Sequence, residues 1–401
     1  MSEAVIVAAS RTPIGRAMKG SLKDCRPDDL AAFIVDDVLN KVPELDRGTV
    51  EDLMVGCGQP AGESGYNIAR ITAVQAGMPD VPGTTVNRYC SSSLQTIRMA
   101  AHAIKAGEGD VFVAAGVETV SRFMSGMADS GPHNEKYAEA EARTAKRSEG
   151  GAGDWTPPEG LPDVYIAMGQ TAENVAELEG VSREAMDEFA ALSQQRATES
   201  LENGFWENEI TPVTTPDGTV VTRDDGIRAG TTAEGLAALK PVFRPDGKVT
   251  AGNSCPLNDG AAAVVVMSDS RARELGITPL ARFVASGVTG LNPEIMGLGP
   301  IEASRQALKR AGMTIDDIDL VEINEAFAAQ IVPSAKQLGI PYDKLNVHGG
   351  SIALGHPFGM TGARIMATLL NGLQTEDKTF GLETMCVGGG QGMAMIVERL
   401  N

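Results

Sequence analysis

Apolar positions along the chain follow two alternating rhythms. Short runs of β-branched or small apolar residues, at 5–9, 53–55, 84–86, 111–115, 261–266, 283–287, 320–323 and 393–397, read as buried strands. Between them, segments 28–42, 94–106 and 301–311 carry apolar residues at helical spacing, and Gly312 closes the last. Strands alternating with helices predict an α/β layered fold with buried sheets.

The order of elements repeats. Residues 48–55 lead into a helix and a strand ending at Val86-Asn87; residues 313–323 lead into a helix and a strand ending at Asn346-Val347. A turn rich in reactive side chains, a long helix and another strand follow each time, which predicts two similar halves. The stretch 119–249 separates them, with Trp155, Trp206, a charged Gly/Pro-rich run at 130–163 and a helix over 182–203 capped by Ser182. A connection of this length is an inserted subdomain rather than a loop. The division expected is 1–118 with 250–271 as the first half, 119–249 as the insertion and 272–401 as the second half.

Composition narrows the partners. The 401 residues suffice for two or three cores, and a formal charge of −19 argues against nucleic acid or an anionic membrane. An anionic ligand would need a local basic group or backbone N–H donors. No apolar run approaches the roughly 20 residues of a membrane helix. The start, Met1-Ser2-Glu3-Ala4-Val5, has no basic leader region, so no signal peptide is expected. The five cysteines (25, 57, 90, 255, 386) are odd in number and scattered, which fits free thiols in a reducing cytoplasm. Four histidines without ligand spacing predict no metal site.

Four segments carry candidate chemistry. In Val86-Asn87-Arg88-Tyr89-Cys90-Ser91-Ser92-Ser93, a cysteine sits where a strand gives way to a helix. The positive end of that helix would lower the thiol pKa and favour a nucleophilic thiolate. A free cysteine is equally often a small buried hydrophobe, and on this segment alone the two readings stand level. In His348-Gly349-Gly350-Ser351-Ile352-Ala353-Leu354-Gly355-His356-Pro357, His356 lies on a constrained turn suited to a base, while His348 has less to distinguish it. Cys386-Val387-Gly388-Gly389-Gly390 combines a thiol with free backbone N–H groups, the parts of an oxyanion hole, although a sharp turn would need the same glycines. Asn324-Glu325-Ala326-Phe327 follows a strand, where polar residues face a site or cap the next helix.

Taken together and in this order, the four segments resemble the thiolase signature, and the resemblance runs from Arg11-Thr12-Pro13-Ile14-Gly15 to the last strand. It includes Thr250-Ala251-Gly252-Asn253-Ser254 and Asn258-Asp259-Gly260-Ala261-Ala262. The family's fold is a pair of similar layered α-β-α-β-α halves with an inserted loop domain. Resemblance assigns Cys90 as nucleophile, His356 as its base, Cys386 as the proton donor to an acetyl-CoA enolate, and Asn324 as holder of a water on the enolate oxygen. The N–H groups of Cys90 and Gly388 would face the acyl oxygen. Coenzyme A enters as a substrate, with no tightly bound cofactor. Arg228 matches the position along its adenine nucleotide. Met168, Phe243, Met296 and Phe327 match the pantetheine and acyl pocket, and Ser254 stands beside the position of a serine near the CoA amide. Ordinary core packing explains the apolar four equally well.

Some positions depart from acetoacetyl-type thiolases: Ala167 replaces a histidine, Cys255 a serine, and His348 a common asparagine. The runs Asn67-Ile68-Ala69-Arg70 and Phe380-Gly381-Leu382-Glu383-Thr384-Met385-Cys386 look more like degradative fatty-acid thiolases. The expected activity is therefore cleavage of 3-oxoacyl-CoA by CoA in β-oxidation, in a homodimer or homotetramer that could sit in a β-oxidation complex. The alternatives are acetoacetyl-CoA synthesis, a 3-oxoacyl synthase acting with a carrier protein, and a non-catalytic thiolase-like subunit.

Overall fold

A computed structural model of the chain describes residues 2–125 and 127–401. Met1, used above to read the amino terminus, and Gly126, within the insertion, lie outside the described residues. The strands are β1 (Ala4–Arg11), β2 (Gly15–Arg16), β3 (Asp52–Gly56), β4 (Gly83–Val86), β5 (Val111–Thr119), β6 (Val213–Thr214) and β7 (Val220–Val221). They continue with β8 (Asn258–Ser268), β9 (Ala281–Gly290), β10 (Leu320–Ile323), β11 (Phe380–Val387) and β12 (Gln391–Arg399). β6 and β7 pair only with each other. The other ten form one sheet in the order β10-β11-β12-β9-β1-β8-β5-β3-β4, with β2 on β8.

Two arms meet at the centre of this sheet and repeat each other outward. On one arm β1–β8 and β8–β5 are antiparallel, then β5–β3 and β3–β4 are parallel. On the other, β9–β12 and β12–β11 are antiparallel and β11–β10 is parallel. The arms touch through two residue pairs, Val5 with Arg282 and Ile6 with Ala281. The two similar halves expected from the order of elements are thus present, joined edge to edge.

One expected strand is missing. The segment ending at Asn346-Val347 reduces to a single parallel bridge between Leu345 and Val321. Asn346 turns away at φ +44°, and its side-chain amide takes over the ladder, accepting Ile323 N–H at 2.8 Å and donating to Ile323 O at 2.9 Å. A side chain thereby supplies the hydrogen bonds that a strand would have made.

The sheet is covered on both faces, which is why β8 runs apolar from Ala261 to Met267 and is buried at every position. Successive residues of β11 enter different cores: Met385 and Val387 face Ile97 and Leu369, whereas Leu382 and Cys386 face Ile301 and Ile331. The helices Ser92–Ala106 and Thr361–Thr375 stand at equivalent places in the two arms and pack on each other. Each is preceded by one of the reactive turns, so the pairing of these helices brings the turns together.

In the insertion, the long helix spans Arg183–Glu202, with Ser182 Oγ accepting Ala185 N–H at 3.1 Å, as the capping pattern predicts. The insertion is tied to β1 by Arg11, which is fully buried. Its guanidinium bonds Glu209 at 2.5 Å and both oxygens of Asp224 at 2.8 and 3.0 Å. No helix among the described residues is long and apolar enough to cross a membrane.

Candidate active site

The turn after β4 is held in an unfavourable shape. Tyr89 lies at φ +43°, a region that disfavours bulky side chains and recurs at functional sites. Asn87 Oδ1 accepts Tyr89 N–H at 2.8 Å; Ser92 Oγ donates to Tyr89 O at 2.7 Å and accepts Arg88 N–H at 2.9 Å. These bonds set Cys90 at the mouth of helix Ser92–Ala106, 8% exposed. It opens on a cavity of about 400 Å³ shared with Tyr165, Met168, Phe358 and Gly388.

The thiol pKa moves opposite to the expectation from the helix dipole. Burial pushes Cys90 up to about 11, although the N–H groups of Gly388 and of Cys90 itself favour the thiolate. The loss of hydration outweighs those donors. Cys90 therefore rests as a thiol and needs a base to become a nucleophile.

The candidate base, His356, meets Phe358, a wall of the Cys90 cavity, edge-on at 5.2 Å. Gly355 adopts φ +120°, and a Cβ there would fall 2.6 Å from the Asn258 amide. Asn258 Oδ1 accepts His356 N–H at 2.9 Å. His356 Nδ1 lies 2.6 Å from Thr361 Oγ, whose hydrogen goes to Pro357 O at 2.7 Å. A hydroxyl already donating elsewhere must accept from Nδ1–H, so the network assigns the lone pair to Nε2. Burial, followed by the charge of Arg364, lowers the imidazole pKa to about 3. His356 is neutral at physiological pH, and Nε2 carries the lone pair that would receive a proton.

Nε2 lies 3.3 Å from Nδ2 of Asn324, which follows β10 and is 1% exposed. Cys386 is fully buried near the end of β11. Its thiol is pushed well above the ordinary value by burial and then by the fields of Cys90 and Cys255. A thiol so disposed keeps its proton until a stronger base forms beside it. Cys255 is raised in the same way, by burial first and then by Cys90, so three sulfurs share one neighbourhood.

Residues without a sequence assignment complete the site. Glu118, fully buried at the end of β5, accepts Gly58 N–H at 2.7 Å, Gln59 N–H at 3.2 Å and Gly359 N–H at 2.9 Å. It fastens the turn that carries His356 to the loop after β3. Burial raises it to about 7 against those three donors. A lone carboxylate ending the apolar run Val111–Thr119 was the available signal. Gln59, Asp129 and His133 also line the cavity, and nothing in their local sequence marks them.

The remaining assigned residues are spread more widely. Met168 lines the cavity with Cys90. Phe243 covers Gly169, where a Cβ would lie 2.2 Å from the ring, and meets Phe327 edge-on at 6.3 Å. Ser254 forms a bridge with Phe327 and donates to Thr250 O at 2.6 Å. Met296 is 1% exposed within the core that also holds Ile301. Arg228 is exposed, with its backbone N–H on Gln194 Oε1 at 2.8 Å. Neither Met296 nor Arg228 borders the Cys90 cavity. His348 stacks on Phe205 at 3.6 Å and bonds Ser200 at 3.2 Å, within the packing of the insertion.

Comparison with known proteins bears on the family. The family described as "Thiolase, N-terminal domain" matches residues 4–270, and "Thiolase, C-terminal domain" matches 277–399. A 3-ketoacyl-CoA thiolase of Bacillus subtilis (strain 168) is 43% identical, over 99% of this chain and 100% of its own length. A 3-oxoadipyl-CoA/3-oxo-5,6-dehydrosuberyl-CoA thiolase of Escherichia coli (strain K12) is also 43% identical, with both chains fully covered. Among solved structures, the dimeric peroxisomal thiolase of Saccharomyces cerevisiae superposes with a TM-score of 0.88 at 36% identity, over 100% of this chain and 98% of that one. The Bacillus anthracis acetyl-CoA acetyltransferase gives 0.86 at 38%, over 100% and 99%. With both family domains matched and full-length relatives at this identity, the chain belongs to the thiolase family of acyltransferases.

Proposed function

We propose that this thiolase acts in the degradative direction, cleaving 3-oxoacyl-CoA with CoA to acetyl-CoA and a shortened acyl-CoA. The observation that carries the reading is a cavity holding the Cys90 thiol with a Gly388 N–H directed at it, and behind its Phe358 wall a neutral His356, ring to ring at 5.2 Å, with Nε2 unprotonated. His356 Nε2 takes the Cys90 proton, and the sulfur attacks the 3-keto carbon. The C2–C3 bond breaks, leaving the acyl group on Cys90 and its electron pair as an acetyl-CoA enolate. Cys386 gives its proton to C2. The thiol of a second CoA then restores that proton to Cys386, attacks the acyl-Cys90 thioester, and His356 returns the first proton to Cys90. Asn324 serves the enolate oxygen through a water, and the N–H groups of Cys90 and Gly388 serve the acyl oxygen.

The lining of the cavity favours neutral acyl chains. Asp129 borders it, His133 is already paired with Glu141 at 2.9 Å, and no lysine or arginine is among the described lining residues. A distal carboxylate some 6 Å from Asp129 would cost roughly 1 kcal/mol or more. Thiolysis rates across a panel should therefore give 3-oxoadipyl-CoA a kcat/KM about tenfold or more below that of neutral 3-oxohexanoyl-CoA. The opposite ranking would refute neutral selectivity, and activity confined to acetoacetyl-CoA would favour the acetyltransferase reading instead.

CoA itself, a substrate and not a bound cofactor, is placed along the insertion with Arg228 beside its adenine nucleotide. The exposed Arg228 has no salt-bridge partner among the described residues, so its charge is available. Arg228→Ala should raise KM for CoA several-fold with kcat little changed; an unaltered KM removes it from the binding site. A homodimer or homotetramer is supported by the dimeric yeast relative. Five free cysteines support a reducing cytoplasm.

A further inference from the structure

Behind the site runs a line of buried hydrogen-bond donors that begins at a guanidinium. Arg364, on helix Thr361–Thr375, is 1% exposed, and its Nη2 donates to Ser351 Oγ at 2.8 Å. Ser351 is fully buried, and its Oγ lies 2.6 Å from Asn324 Oδ1. Asn324 Nδ2 in turn faces His356 Nε2 at 3.3 Å. The guanidinium has no acceptor, so the polarity of the line is set at its origin. Ser351 must accept from Arg364, which leaves its single hydrogen for Asn324 Oδ1. A reversed amide would put Nδ2 against that hydroxyl and an oxygen against the Nε2 lone pair, two acceptors in a buried place. The Asn324 backbone is held separately, its N–H on Thr384 O at 3.0 Å and its carbonyl accepting Gln330 Nε2 at 2.7 Å. What the Arg364–Ser351 pair decides is only the direction of the amide.

We propose that Ser351, oriented by Arg364, is a positioning residue that keeps the N–H side of the Asn324 amide toward the reacting oxygen. The inference rests on the thiolase chemistry of the preceding section, in which Asn324 serves the enolate. It concerns only that half of the reaction, because the acyl oxygen faces the N–H groups of Cys90 and Gly388. The two halves can be read apart in the full-length enzyme. Deuterium uptake into the methyl group of acetyl-CoA reports enolate formation; transfer of acetyl from acetyl-CoA to isotopically labelled CoA reports acyl exchange.

In Ser351→Ala, deuterium uptake should fall roughly tenfold, the directing effect of one net hydrogen bond, while acetyl exchange stays within about twofold. Ser351→Thr, which keeps a hydroxyl, should hold the ratio of the two rates near that of the wild type. The ratio is internal to each preparation, so partial loss of folded protein does not alter it. An unchanged ratio in the alanine variant, or an alanine-like ratio in the threonine variant, would overturn the positioning role alone. A wild-type enzyme that performs neither exchange would overturn the thiolase chemistry as well.

Discussion

Cys90→Ala is expected to abolish CoA-dependent thiolysis, a loss of about four orders of magnitude or more, with unfolding in urea little changed. The magnitude follows from removing the covalent intermediate, since without a nucleophile the remaining groups can only polarise the substrate. Stability should hold because the thiol is small and lines a cavity, and among the described residues it donates no hydrogen bond. Stalled thiolysis can be checked by following release of acetyl-CoA from a 3-oxoacyl-CoA, and trapping of an acylated peptide containing Cys90 in the wild type supplies the positive control. Turnover above a hundredth of wild type in the alanine variant would mean that another thiol carries the acyl group, with Cys255 and Cys386 the nearby candidates. Because Cys90 rests as a thiol, His356→Ala should lower both acylation and thiolysis.

The second large effect concerns stability. Arg11→Met removes the guanidinium that bonds both Glu209 and Asp224, leaving two buried carboxylates without the partner they hold at 2.5–3.0 Å. Breaking a buried ion pair by deleting one partner costs about 3–5 kcal/mol. Urea denaturation should show a lower midpoint, and the damage should concentrate where Arg11 ties β1 to the insertion. Replacing Arg11, Glu209 and Asp224 together by apolar residues should recover much of the loss, since the penalty lies in unpaired charge. A single Arg11→Met variant as stable as wild type would show that water enters to solvate both carboxylates.

How much could be read beforehand depended on whether a residue's task is set by its neighbours in sequence. Cys90, His356, Cys386 and Asn324 each sit in a local pattern of turn, glycine or strand end; each pattern alone left its bland reading open, and their roles came from the resemblance that the four make together. The pKa of Cys90 was not legible in the same way. The helix that would lower it is adjacent in sequence, whereas the burial that raises it comes from residues far along the chain, among them Tyr165 and Met168 of the insertion and Phe358. Glu118 and Arg364 escaped for a related reason: Glu118 acts on Gly359 at a separation of 241 residues, and Arg364 works through Ser351. The strand expected before Val347 failed on a single side chain, since Asn346 supplies by its amide what periodicity ascribed to backbone. Repeated order of elements did foretell two similar arms, but not that they would share one sheet.

That shared sheet has a consequence for how the protein is made. β1 leaves the ribosome well ahead of its ladder partners, β8 and β9, which begin at Asn258 and Ala281. At about 5–20 residues per second, the Ala4–Arg11 strand waits roughly 10–50 s before either partner exists. Throughout that interval an apolar strand with both edges open is exposed to any other nascent chain. Assembly of the centre of the molecule is therefore a late event, and β1 is the strand most in need of a chaperone's protection.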